Sequence, residues 1–168
     1  MAWFSARTIS ASTVPVDSDQ IWEILTDPSA LAELTPLIKS IEASGDHWLW
    51  KLNSIEALGL KVEAAFTERM EFSDGRQIVF AHDPPTGTKE RAAVEGRYDV
   101  DPAGDESTDL KVDLTLSVEL PLPRLARHGV EKVIHSAMRV TGKQFAKNLY
   151  ERLGLDPADA TIKELKTP

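Results

Sequence analysis

Residues 109–120 read Asp-Leu-Lys-Val-Asp-Leu-Thr-Leu-Ser-Val-Glu-Leu, and this stretch and the residues after it decide the fold. Leu110, Val112, Leu114, Leu116, Val118 and Leu120 fall on one side, with Asp109, Lys111, Asp113, Thr115, Ser117 and Glu119 on the other. A period of two sustained this long predicts an antiparallel strand with one dry and one wet face. Pro121 and Pro123 end it. Beyond them Val130, Val133/Ile134, Ala137/Met138, Thr141, Phe145, Leu149 and Leu153 recur every three or four residues, the pattern of one long amphipathic helix. Gly142 lies inside that pattern, where it lowers helix propensity by about 1 kcal/mol relative to Ala and marks a weak spot or a close approach.

Period two also governs the chain upstream. Leu60, Val62, Ala64, Phe66, Glu68, Met70 and Phe72 alternate with Lys61, Glu63, Ala65, Thr67, Arg69 and Glu71, which predicts one strand over residues 60–72. Asp74-Gly75 turns the chain into Ile78-Val79-Phe80, and Asp83-Pro84-Pro85-Thr86-Gly87 breaks the next hairpin ahead of a strand from Thr88 to Val100. Earlier strands are expected over residues 38–43 and 47–54, joined by Ser44-Gly45-Asp46, and at the start of the chain from Phe4 to Val14. Between the first two strands Asp17 and Gln20 form a capping-box-like pair for a short helix carrying Ile21, Trp22, Ile24 and Leu25. Asp27-Pro28 stops that helix and starts another, with Leu31 and Leu34 on its buried side.

The order is therefore strand, two short helices, six strands and one long helix. No parallel βαβ rhythm occurs, so a Rossmann-type fold is excluded. The fold class is α+β: a seven-stranded, curved antiparallel sheet with the long C-terminal helix left to cover its concave face. One helix does not fill the concave side of such a sheet, and the volume left over becomes a cavity lined by the dry face.

At 168 residues, 18.5 kDa and 42% hydrophobic content, the chain suits a single domain, assigned to residues 1–154, with residues 155–168 as a polar tail. The absence of Cys rules out disulfides, iron–sulfur clusters and thiolate zinc sites. His47, His82, His128 and His135 lack metal-type spacing, so neither a metal nor another cofactor is expected. No apolar run is long enough to span a bilayer, and residues 1–12 lack a leader-like layout, which makes the cytoplasm the expected compartment. A formal charge of −8 argues against nucleic-acid binding.

The run Val14-Pro15-Val16-Asp17, continuing through Ile21-Trp22-Glu23-Ile24-Leu25-Thr26-Asp27-Pro28 to Leu31, resembles the opening signature of the START-like helix-grip superfamily. The resemblance extends through the strands and Leu120-Pro121-Leu122-Pro123 into the terminal helix. It implies a hydrophobic pocket between sheet and helix. The superfamily spans ligand carriers, polyketide cyclases and dehydrases, hormone receptors, and a membrane-associated accessory protein of carbon monoxide dehydrogenase.

Polar residues in the dry register carry whatever chemistry the pocket has. Glu68 interrupts Phe66 and Met70, and Glu90 shares a register with Val94 and Tyr98. A carboxylate in an apolar cavity must pair, meet water or hold its proton, and a retained proton suits general acid–base chemistry. His82 joins the same face if Ser73-Asp74-Gly75 is a three-residue loop, which would place Phe66 opposite His82; a two-residue turn would face it outward. Glu68 and His82 are thus the candidate catalytic pair. Trp50, Phe66, Glu68, Met70, Phe80, Glu90, Val94, Tyr98, Leu114, Met138 and Phe145 are the candidate ligand-binding residues. Trp48 shares the face of Trp50, lining the cavity or forming core beneath the short helices.

Three functions fit: a carrier of a small hydrophobic molecule (lipid, isoprenoid or aromatic polyketide), a cyclase or dehydratase using Glu68, or an accessory subunit of a membrane or larger complex. The last draws on residues 122–153, where seven Lys and Arg against two Glu give +5 and leave −13 on the rest of the chain. Such a basic helix permits peripheral membrane contact. Oligomeric state is not encoded in any of these patterns.

Overall fold

The change of period at Pro121–Pro123 is a strand handing over to a helix. The computed structural model describes residues 1–57 and 59–168, less the side chains of Ile55, Ala57 and Val62, so the dry-face place expected for Val62 lies outside the described residues. Strand β1 (Ala2–Val14) leads into helices α1 (Ser18–Leu25) and α2 (Pro28–Leu34). There follow β2 (Ile38–Ser44), β3 (His47–Leu52), β4 (Ile55–Ala57), β5 (Leu60–Val62), β6 (Ala65–Ser73), β7 (Gln77–His82), β8 (Ala92–Pro102) and β9 (Thr108–Leu120). Helix α3 (Arg127–Arg152) comes next, and a short β10 (Lys163–Leu165) closes the chain.

The main sheet runs β10-β1-β9-β8-β7-β6-β3-β2, antiparallel throughout. Its seven expected strands are joined by β10, which the last residues add along Ile9–Ala11 of β1. Glu164 of β10 is held from α3 by His135 and Arg139, each at 2.9 Å.

Three expected strands are shorter than the sequence suggested, the one over residues 47–54 ending at Leu52. The run over residues 60–72 is divided, with β5 pairing β4 in a separate hairpin and β6 pairing β3 and β7. On the β6 side the ladder ends with Leu52 N–H on the Ala64 carbonyl (3.0 Å), and on the β2 side with Asn53 N–H on the Leu37 carbonyl (2.7 Å). Both halves keep one parity, so periodicity alone could not reveal the break. Likewise the strand expected from Thr88 begins only at Ala92.

The β6–β7 loop is Asp74-Gly75-Arg76. Asp74 and Gly75 take left-handed conformations (φ 49° and 67°), and Arg76 N–H closes on the Ser73 carbonyl at 2.9 Å. Phe72 therefore pairs with Ile78 and Glu68 with His82, two residues along from the expected pairing of Phe66 with His82. Parity survives the slide, and Ile78, Phe80 and His82 share the face of Glu68.

Capping sets the short helices. Asp17 accepts from Gln20 N–H at 3.0 Å, and Asp27 accepts from Ser29 and Ala30 N–H ahead of Pro28. Ile21, Ile24, Leu25, Ala30, Leu31 and Leu34 then bury against Trp48, Trp50 and Ile78. Trp48 meets Phe72, which in turn meets Trp22 of α1, so Trp48 is core beneath the short helices. The C-terminal end of α3 is fastened to α2 by Asn148 Nδ2 donating to the Leu34 carbonyl (2.9 Å) and by Arg152 with Glu33 (3.0 Å).

Gly96 pairs with Leu114 of β9 and takes a φ of 156°. A Cβ there would overlap the Asp113 carbonyl oxygen, a backbone atom that no rotamer change can move. Gly96→Ala is expected to destabilise by about 3 kcal/mol, lowering Tm by roughly 6–12 °C. Thermal denaturation followed by circular dichroism measures this, and an unchanged Tm would mean that the two strands are not so closely apposed.

Candidate functional site

Helix α3 meets the sheet as two separate contacts. Toward its start Val130, Ile134 and Met138 bury with Ala2, Phe4 and Leu120; toward its end Leu149 and Tyr150 belong to the larger core. Of the alternatives at the helix's apolar positions, Ile134 and Met138 turn inward while Val133 and Ala137 face out. Between the two contacts lie Thr141, Gly142 and Phe145, with Thr141 and Phe145 half-buried. A Cβ added to Gly142 would meet nothing within 4 Å, so this glycine marks open space and no close approach. Opposite, Val112, Leu114, Leu116 and Val118 of β9 are also only half-buried, although they carry the sheet's dry-face pattern. Leu114, Leu116 and Val118 touch both clusters, bridging them across the middle.

The polar feature of the interior is Glu68, 2% exposed. Trp48 and His82 are its cross-strand neighbours, so three adjacent strands converge on it. Among the described residues no cation or hydrogen-bonding side chain in good geometry meets its carboxyl. Burial pushes this acid well above the usual carboxylate range, and the Trp50 indole beside it draws it part of the way back. Trp50 is itself 6% exposed, stacked on Phe66 at 5.7 Å, and its Nε1–H lacks a partner in hydrogen-bonding geometry. Tyr98, 4.9 Å from the Phe80 ring, feels the Glu68 charge, and burial and that charge together raise its phenol.

Glu90 belongs to a different arrangement. Its carboxylate accepts from the Thr67 backbone N–H (2.8 Å), the Thr67 hydroxyl (2.7 Å) and His82 Nε2–H (2.8 Å). Strand β7 stops at His82, leaving Thr67 N–H without a ladder partner, and Glu90 takes the place of the missing strand. Asp83 N–H on the Thr67 carbonyl (2.9 Å) completes the anchor of this loop. On the outer face, His47 bridges Asp46 (2.8 Å) and Asp83 (2.9 Å); the two carboxylates raise the imidazole, and His47 lowers Asp83. His47, Thr67 and Asp83 border an open cleft of about 640 Å³ that also includes Pro84, Pro85 and Thr86.

The residues singled out from sequence thus occupy two places. Trp50, Phe66, Glu68, Met70, Phe80, Val94, Tyr98, Leu114, Met138 and Phe145 belong to the interior or pack against it; Glu90 and the His82 ring form the staple at the strand edge. Sequence reasoning passed over Thr67, whose free N–H is implied by the Pro84-Pro85 break one strand away. It also passed over Val112, Leu116 and Val118 as neighbours of the open middle, because alternation does not say which stretch of a dry face the helix covers. Among the described residues no three His, Asp or Glu side chains converge as metal ligands, and no helix is long and apolar enough to cross a membrane.

The chain matches no protein-family model and no curated protein. Solved structures do resemble it. A START superfamily protein from Mycobacterium smegmatis is 22% identical with a TM-score of 0.61, the match covering 88% of this chain and 97% of that one. The Zhui aromatase/cyclase from a Streptomyces strain is 13% identical with a TM-score of 0.66, covering 89% and 94%. A conserved protein from Geobacillus kaustophilus is 16% identical with a TM-score of 0.66, covering 93% and 98%. At such identities the likeness speaks for the architecture, and it agrees with the strand order, the paired short helices and the gripping terminal helix: the chain has the START-like helix-grip fold.

Proposed function

We propose that the protein binds a small hydrophobic molecule, a lipid, isoprenoid or aromatic polyketide-like compound, between the sheet and the middle of α3. The observation that carries this reading is the half-buried row Val112, Leu114, Leu116 and Val118 beneath a helix that packs tightly only toward its two ends. Apolar surface of this kind gains roughly 25 cal/mol per Å² when a ligand covers it. The aromatic side chains of Trp50, Phe66, Phe80 and Tyr98 suit a flat or extended apolar guest.

A second reading, a cyclase- or dehydratase-type enzyme, is favoured by one observation: Glu68 is buried without a cation and so retains its proton. A neutral carboxyl facing an apolar guest is a general acid. The likeness in fold to an aromatase/cyclase is in keeping with that class of chemistry. His82, whose ring is taken by Glu90, contributes to this reading as part of the loop anchor, with Glu68 the acid.

Native mass spectrometry of gently purified protein is expected to reveal a stoichiometric apolar adduct. Leu114→Trp is expected to abolish the adduct and still fold, because the added ring enters open space. If the site is already filled, the same substitution overpacks the core, costs about 1–3 kcal/mol and lowers Tm, which would count against a pocket.

The protonation of Glu68 has a signature in stability. An acid kept neutral in the folded chain but free to ionise when unfolded weakens the fold as pH rises above its ordinary value of 4.5. Glu68→Gln removes that penalty. Below about pH 4 the Tm difference between variant and parent is expected to be constant; above it the variant gains progressively until Glu68 ionises within the fold. A difference that stays flat from about pH 4 to pH 9 would mean that Glu68 is not held as a neutral acid.

A further inference from the structure

The middle of α3 has little apolar purchase on the sheet: from Arg139 to Phe145 no residue is buried. Among the described residues, α3 ahead of Asn148 is tied to other elements by polar contacts of His135 and Arg139 alone, both to Glu164 of β10 at 2.9 Å. These two side chains stand one turn apart on one flank of the helix, and Gly142 comes next along that flank. A Cβ at Gly142 would meet nothing within 4 Å, so space opens beside the helix just beyond the tie. Glu164 lies opposite Ser10 of β1, and Ser10 lies opposite Val112 of β9, so one line across three strands joins the tie to the half-buried row. Ser10 shares the parity of the buried Phe4 and faces α3, whereas Ala11 and its partner Lys163 belong to the outer face. The hold is light. Three residue pairs fix β10 to β1, and the side chains of the two ion pairs are 38% exposed for His135 and Glu164 and 51% for Arg139. Exposed ion pairs of this kind contribute little. An open crevice of about 430 Å³, lined by His135, Glu164, Leu165, Lys166 and Thr167, flanks the tie.

We infer that β10 is a releasable strap that shuts a side entrance between α3 and β1. While Glu164 holds His135 and Arg139, the flank of the helix is fastened to the sheet edge. When β10 peels from β1, the middle of α3 is free to lift at Gly142, where helix propensity is lowest, and a ligand enters along β1 toward Val112 and Leu114. The inference rests on the pocket proposed above. Release leaves the rest of the fold in place, because Val130, Ile134 and Met138 stay buried at one end and Asn148 and Arg152 hold α2 at the other. The segment between helix and strap stays docked as well, since Leu155 and Ala160 pack against the larger core.

The test is stopped-flow binding of N-phenyl-1-naphthylamine, a neutral dye that brightens in apolar surroundings, to protein stripped of co-purified apolar molecules. A chain ending at Ala160 keeps the docked segment and loses the strap. Its association and dissociation are both expected to be about tenfold faster than the parent's with Kd nearly unchanged, because a gate alters the route and not the bound state. The converse variant carries Ala11→Cys with Lys163→Cys, a directly opposed pair in a chain that otherwise has no cysteine, and it leaves Glu164 in place. Oxidised, it is expected to exchange the dye severalfold more slowly than the parent, and a reductant is expected to restore the parent's rates. If circular dichroism shows the shortened chain unfolded, the oxidised and reduced forms of this one variant decide. Equal rates in the parent, the shortened chain and the oxidised variant would overturn the strap and leave the pocket standing. A changed affinity with an unchanged association rate would overturn it too, since β10 would then be part of the binding surface. Binding by the shortened chain alone would support a strap shut in the parent. If neither chain binds the dye, the pocket reading falls and the strap falls with it.

Discussion

A single helix about 10 Å across lies over a sheet of eight strands spaced about 4.8 Å apart. That mismatch in width governs the rest of the molecule. The helix cannot cover the whole dry face, so the chain brings other elements to it: α1 and α2 close the end beneath which Trp48 and Phe72 lie, and α3 is fastened to α2 by Asn148 and Arg152. What remains between the two packed regions of α3 is the stretch around Gly142, and the β9 residues that bridge those regions are only half-buried. At Gly96 the absence of a Cβ lets β8 lie against β9 where a side chain would overlap the Asp113 carbonyl oxygen, and Phe80 pairs directly across from that glycine.

Two carboxyls that the alternation placed in the dry register meet different surroundings because of what the backbone leaves open around them. Glu90 meets a backbone N–H, a hydroxyl and an imidazole. Glu68 is buried beside the Trp50 indole, and desolvation favours its neutral form. The first holds the loop after β7 in place. The second gives the interior a polar end, and its protonation links the stability of the fold to the chemistry of whatever occupies the space.

Much of this was legible in the residues themselves. Alternation in residues 109–120, the prolines at 121 and 123, and the Asp17 and Asp27 caps are local signals, and they specified the strands, the helices and their order. The face of Glu68 was also legible; that of Phe80 and His82 hung on whether the turn has three residues or two, and the three-residue turn of the structure puts them with Glu68. The partners were not. Whether His82 sits opposite Phe66 or Glu68 depends on which three residues form a turn, and Asp74-Gly75-Arg76 and Ser73-Asp74-Gly75 differ by one position in a run rich in turn-formers.

The sequence by itself determined that the chain folds as an α+β sheet gripping a terminal helix, because hydrophobic period and capping are properties of neighbouring residues and survive without the rest of the molecule. It also determined that a carboxyl would enter the dry face, since Glu68 stands in the even register. Only the tertiary structure decided that Glu68 would be left without a cation while Glu90 found three donors, that residues 60–72 would divide between two sheets, and that the tail would add a strand beside β1. Those outcomes depend on distances between residues far apart in the chain, which no local pattern encodes.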